Sequence, residues 1–148
     1  MGRILISLCL LGLLLGCRTT ATVATSAQAH GQFVARQLQF EGRQFRYQVF
    51  VPAAAATPPG ARPLVLFLHG SGERGDDGLK PTLAGIGPWL TQNPDTFPAL
   101  VVFPQVPENE EWRGRNARMA LAVLDAASAE FGADPRRISA VVGPCISQ

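Results

Sequence analysis

Two segments of the chain alternate between apolar and polar residues, and three others are unbroken apolar runs. Leu38 and Phe40, then Phe45, Tyr47, Val49 and Val51, alternate with polar positions on either side of Glu41-Gly42-Arg43. A period of two turns one face of each segment inward, so the pattern predicts a half-buried antiparallel hairpin. Leu64 to Leu68, Ala99 to Phe103 and Ile138 to Val142 are continuous apolar runs, as expected for parallel strands covered on both faces. Pro52 to Arg62 reads as an Ala/Pro loop before the first of them. From about Asn116 to Phe131 the spacing is helical. Ala117, Ala120, Leu121, Leu124, Ala127 and Phe131 share one face, with Arg118, Asp125 and Ala129 opposite. Gly132 is placed to end that helix, and Asp134-Pro135 to turn the chain into the last strand. The order hairpin, strand, helical connection, strand, helix, strand predicts an α/β fold. It is an antiparallel hairpin followed by a parallel βαβαβ core, with right-handed crossovers.

The N-terminal pattern is different. Met1-Gly2-Arg3 makes a short positive start, Ile4 to Leu15 is almost wholly apolar, and Gly16-Cys17 follows. The run falls short of the roughly 20 residues a membrane-spanning helix needs and suits the apolar region of an export signal. Leu14-Leu15-Gly16-Cys17 resembles the lipobox of bacterial lipoproteins. That resemblance implies a signal over residues 1–16, lipid on Cys17, and attachment to a membrane of the cell envelope through that lipid. Arg18, where an aspartate would favour retention, points by analogy to the outer membrane or its periplasmic face in a Gram-negative host. Ordinary signal cleavage after Ala27 or Ala29 is the other reading. Residues 17–32, rich in Thr, Ala, Ser and Gln, read as a flexible tether, and residues 33–148 as one domain.

Composition narrows the partners. A net charge of +2 over 148 residues, with no basic stripe among aromatics, argues against nucleic acid. Of three cysteines, Cys9 lies in the signal and Cys17 is the lipid site, which leaves Cys145 without an intramolecular partner. Two histidines, His30 and His69, stand at no metal-ligand spacing with a cysteine, so neither metal nor cofactor is expected.

The candidate chemistry sits where the first apolar run ends. Gly70-Ser71-Gly72-Glu73-Arg74-Gly75 spells G-x-G-x-x-G directly after a strand. A dinucleotide site would need a helix to open there and a carboxylate on the next strand. The glycines instead run into Asp76-Asp77-Gly78 and Pro81, and the next strand ends in Phe103-Pro104-Gln105. An oxyanion loop explains the segment better, because acyl transfer needs backbone N–H donors close to a carbonyl oxygen. Ser71 N–H is the first candidate donor, Gly70 and Gly72 are expected to shape the turn, and His69 to support it through its ring nitrogens.

His69-Gly70-Ser71-Gly72-Glu73-Arg74-Gly75-Asp76-Asp77, Ile86-Gly87-Pro88-Trp89-Leu90 and Val102-Phe103-Pro104-Gln105 together resemble the α/β-hydrolase superfamily. The branch they resemble contains exported esterases, predicted peptidases, phospholipase/carboxylesterase-like, polyhydroxybutyrate-depolymerase-like and dienelactone-hydrolase-related proteins. The resemblance runs from about Phe40 to Ile138. It implies the N-terminal half of a hydrolase sheet, a small-molecule ester or acyl substrate, and a nucleophile elbow, Gly-x-Ser-x-Gly, one strand beyond Asp134-Pro135-Arg136-Arg137-Ile138. At that point the chain reads Gly143-Pro144-Cys145-Ile146-Ser147, an echo of the elbow with cysteine at the nucleophile position. Pro144 fixes its φ and Ser147 stands where a glycine allows close helix packing, so Cys145 is either a nucleophile-position residue or incidental. The expectation is a domain truncated at the nucleophile strand, without a triad and inactive alone. A non-catalytic lipoprotein binding module reusing the hydrolase core is the alternative.

Three further features carry weaker readings. Glu73 and Arg74 are expected to order the loop through a local ion pair. Glu108, Glu110 and Glu111 before Trp112 either line a substrate cleft or form a surface loop around one packed Trp. Trp89 is expected to pack the helix after the oxyanion loop.

Overall fold

The computed structural model describes residues 29–54 and 56–143. Strands β1 (Gln32–Phe40) and β2 (Arg43–Val51) form the antiparallel hairpin, pairing from Gln32 with Val51 to Phe40 with Arg43. Glu41 and Gly42 both take positive φ, 46° and 76°, as a two-residue turn matched to strand twist requires. Strand β3 (Arg62–Leu68) is followed by 3₁₀ turns at Ser71–Glu73 and Lys80–Leu83 and by the short helix α1 (Gly87–Gln92). Then come β4 (Leu100–Pro104), α2 (Arg115–Phe131) and β5 (Ala133–Val142). The strand order across the sheet is β1-β2-β4-β3-β5. Strand β3 runs parallel to β4 and β5, and β2 antiparallel to β4.

Alternation along the inner strands divides the core between two faces. Phe45, Tyr47, Val49, Leu64, Leu66, Leu100 and Val102 pack with Met119, Ala120, Val123, Leu124 and Ala127 of α2. The intervening Phe50, Phe67, Val101 and Phe103 pack on the other face with Leu90 of α1. Full burial of side chains this size contributes about 1.5–3 kcal/mol each, so the three inner strands hold most of the stability. Bidentate contacts of Arg118 with Glu41, both at 2.9 Å, and the Arg36–Glu130 pair fix the hairpin to α2.

Several expectations are corrected. The buried face of α2 is centred on Met119 and Val123, whereas Ala117 and Leu121 are exposed. Small Ala117 carried too much weight in the periodicity, and Met119 too little. Strand β5 begins at Ala133, because Asp134–Arg137 form a bulge between the pairs Arg62–Ala133 and Leu64–Ile138. The Asp134 carboxylate accepts the Arg136 N–H at 2.9 Å, so the turn at Asp134-Pro135 lies inside the strand. Nor is β5 covered on both faces: it lies at the sheet edge, and Ile138, Val141 and Val142 are exposed. The expected tether ends early, since His30 Nδ1 and Gly31 N–H bind the two carboxylate oxygens of Asp95 and β1 starts at Gln32. Among the described residues no helix is long and apolar enough to cross a membrane.

Candidate active site

Strand β3 delivers His69 to the carboxyl edge of the sheet, where it is buried. Its Nε2 accepts the Val106 N–H at 3.0 Å, which leaves the ring proton on Nδ1, 2.6 Å from the Gly70 carbonyl oxygen. Burial holds its pKa below the ordinary histidine value and keeps the ring neutral. The Trp112 indole meets the ring edge-on at 4.9 Å and donates from Nε1 to the His69 carbonyl at 2.9 Å. With both ring nitrogens committed, His69 is a strut between β3, β4 and the loop and has no free lone pair for a proton.

The loop turns at Ser71–Glu73, and the first N–H groups of such a turn have no partner within it. No other hydrogen bond among the described residues uses the Ser71 or Gly72 N–H. Both residues are exposed, and the space around Gly72 is open. Gly70 and Gly72 do not shape the turn through unusual torsions. Gly70 is extended at φ −79°, and the positive values fall at Gly75 (143°) and Gly78 (71°). There the chain passes close to Gln105 and Arg46, and a side chain would meet both strain and crowding.

Gln105 holds the loop from beneath. Its buried amide accepts the Gly78 N–H at 2.6 Å and donates to the Glu73 carbonyl at 2.9 Å. The Gly75 N–H reaches the Val106 carbonyl at 2.9 Å, and Lys80 Nζ the Arg74 carbonyl at 3.1 Å. Burial opposes ionisation of Asp77, but N–H bonds from Leu79 and Lys80 outweigh it and hold that carboxyl below its usual range. The expected Glu73–Arg74 ion pair is absent among the described residues. Backbone carbonyls do the ordering instead, because they accept from rigid partners on β4 and the next turn.

A cavity of about 280 Å³ opens between this loop and the segment before α2. His69, Gly70, Ser71 and Arg74 line it together with Val106, Glu110, Glu111 and Trp112. Glu110 bonds Asn116 at 2.9 Å and Arg43 at 2.8 Å, which keep its carboxyl below the usual range. Glu111 pairs with Arg113. The acidic loop therefore lines the cavity through Glu110 and Glu111 and not Glu108. Trp89 lies outside it, half-exposed and edge-on to Phe97.

The end of β5 pairs with the end of β3, Val142 beside Leu68. Gly143 N–H donates to the Leu68 carbonyl at 2.7 Å, and a Cβ added at Gly143 would stand 3.6 Å from the Gly70 nitrogen. Gly143 thus abuts the start of the loop that follows β3. Cys145 and Cys17 lie outside the described residues. No three His, Cys, Asp or Glu side chains gather as a metal site among the described residues.

Comparison with protein-family models finds no match, and comparison with curated proteins finds none. Solved structures do match. A thermostable esterase superposes with a TM-score of 0.59 at 24% identity, over 74% of this chain and 34% of its own. The substrate-bound fluorophosphonate-binding serine hydrolase FphF of Staphylococcus aureus gives 0.56 at 14% identity, over 76% and 47%. A ferulic acid esterase gives 0.51 at 17%, over 78% and 51%. The chain shares its fold with these esterase and serine-hydrolase structures. The chain spans between a third and a half of the lengths of these structures.

Gln105, Val106 and Trp112 are the site residues that sequence reasoning did not assign. Gln105 carried a signal, a polar residue directly after an apolar strand. The roles of the Val106 N–H and Trp112 depend on a contact across some 40 positions of chain, which local pattern does not carry.

Proposed function

We propose that these residues form the oxyanion-binding half of a carboxylic-ester hydrolase. The abutment of Gly143 on Gly70 carries the reading. It sets Gly143 against the residue before Ser71 and Gly72, whose N–H groups have no partner among the described residues, and Ser71 lines a cavity suited to a small acyl group. In a complete site a serine would attack the ester carbonyl, a histidine would carry its proton, and Ser71 N–H would bind the developing oxyanion.

These 148 residues hold no histidine free for that shuttle. His69 is a strut, and His30 is tied to Asp95 away from the cavity. The chain alone is therefore catalytically incomplete. Purified chain is expected to hydrolyse p-nitrophenyl butyrate at the buffer rate; hydrolysis well above it, abolished by a fluorophosphonate, would overturn this.

Export and lipid attachment at Cys17 belong to the same proposal, supported by Leu14-Leu15-Gly16-Cys17. Mass spectrometry of the chain expressed in a bacterial host should find a diacylglyceryl group on Cys17. An intact N-terminus, or one starting after Ala27 or Ala29, would contradict it.

A further inference from the structure

We propose that Arg74 selects esters whose far end carries a carboxylate; the inference rests on the oxyanion reading of the same loop. The cavity has three charged residues in its lining, Arg74, Glu110 and Glu111. Both glutamates are already neutralised, Glu110 by Arg43 with Arg115 beside it at 3.6 Å, and Glu111 by Arg113. The Arg74 guanidinium has no ion pair or hydrogen-bond acceptor among the described residues. Arg74 is thus the one charged residue of the lining without an ion pair among the described residues, and it lines the cavity together with Gly70 and Ser71.

Arg74 is also well placed for recognition rather than for solvent. Its backbone is gripped on three sides, by Gln105 at Glu73, by Lys80 at its own carbonyl and by Val106 at Gly75. Its side chain is half-buried along the same wall as Gly70 and Ser71. A planar guanidinium held this way offers parallel donors that match a carboxylate in a bidentate pair. At about 280 Å³ the space is at the small end of ligand cavities, which fits a short dicarboxylate monoester better than a long acyl chain. Its ester carbonyl would lie at Ser71 N–H and its free carboxylate at Arg74.

Amide-resolved NMR titration of the full chain with monoethyl glutarate and with diethyl glutarate tests this. The monoester should bind at least about fivefold more tightly at low salt, with the preference shrinking as ionic strength rises. In Arg74→Gln the two esters should bind alike, while Arg74→Lys should keep part of the preference. Equal affinities in the unaltered chain, a preference insensitive to salt, or one that survives Arg74→Gln would overturn the role of Arg74. If neither ester moves the Gly70 and Ser71 amides, the oxyanion reading itself fails and this inference with it. If Arg74→Gln does not fold, the salt dependence in the unaltered chain decides.

Discussion

The Trp112 indole N–H donates to the His69 carbonyl across 2.9 Å, tying the segment before α2 to the last residue before the glycine-rich loop. Both residues line the cavity, so the bond joins two parts of its wall. Trp112→Phe keeps an aromatic edge against the imidazole but leaves that carbonyl without its donor. The expected cost is about 1 kcal/mol in urea unfolding, with faster amide exchange at Gly70 and Ser71. Unchanged stability and exchange would show that the bond does not order the loop.

His69 sets an acid sensitivity. Its folded pKa lies below the ordinary value of about 6.5, so on acidification the unfolded chain takes up the proton first. The stabilisation is complete above about pH 6.5 and is lost as the pH falls through the lowered value. Unfolding free energy should therefore decline from pH 7 toward pH 5. In His69→Gln the decline across that window should be flatter, about a less stable starting point. An equally steep decline in the variant would assign it to other groups.

The corrected face of α2 gives a direct contrast. Met119 is fully buried against the sheet, whereas Leu121 is 57% exposed. Met119→Ala should cost about 2–5 kcal/mol and Leu121→Ala within about 0.5 kcal/mol. Comparable losses from the two in chemical denaturation would restore the face inferred from periodicity.

Gly31 tests where the domain begins. A Cβ there would lie 2.0 Å from the Pro94 carbonyl oxygen, a backbone atom with nowhere to go. Gly31→Ala should break the clasp to Asp95 and cost about 2 kcal/mol or more. A neutral result would return residues 30 and 31 to the tether.

The strands and the α/β class were legible because inner strands of a parallel sheet must be apolar on both faces, and Leu64–Leu68 and Leu100–Phe103 are. The helix was legible in extent and in much of its buried face, Ala120, Leu124, Ala127 and Phe131, but Ala residues fall on both sides of α2 and blur its apolar stripe, which misplaced Ala117 and Leu121. The bulge at Asp134–Arg137 was hidden because a strand that bends around an Asp-Pro pair looks like a turn followed by a strand. In the site, His69-Gly70-Ser71 was marked by the abrupt end of an apolar run. What locks it, Gln105, Val106 and Trp112, acts through hydrogen bonds between distant segments. The unpaired state of Arg74 could not be read either, because adjacent Glu73 suggests a partner that the turn keeps away.

The proposed function requires the N–H groups at Ser71 and Gly72 to receive a carbonyl oxygen. Titrating the ¹⁵N-labelled chain with ethyl butyrate, which has no charge to engage Arg74, measures this directly. The Ser71 and Gly72 amides and the Trp112 indole N–H are expected to shift together, along one saturable curve. Shifts confined to the exposed β5 residues Ile138, Val141 and Val142, with the loop amides unmoved, would contradict it.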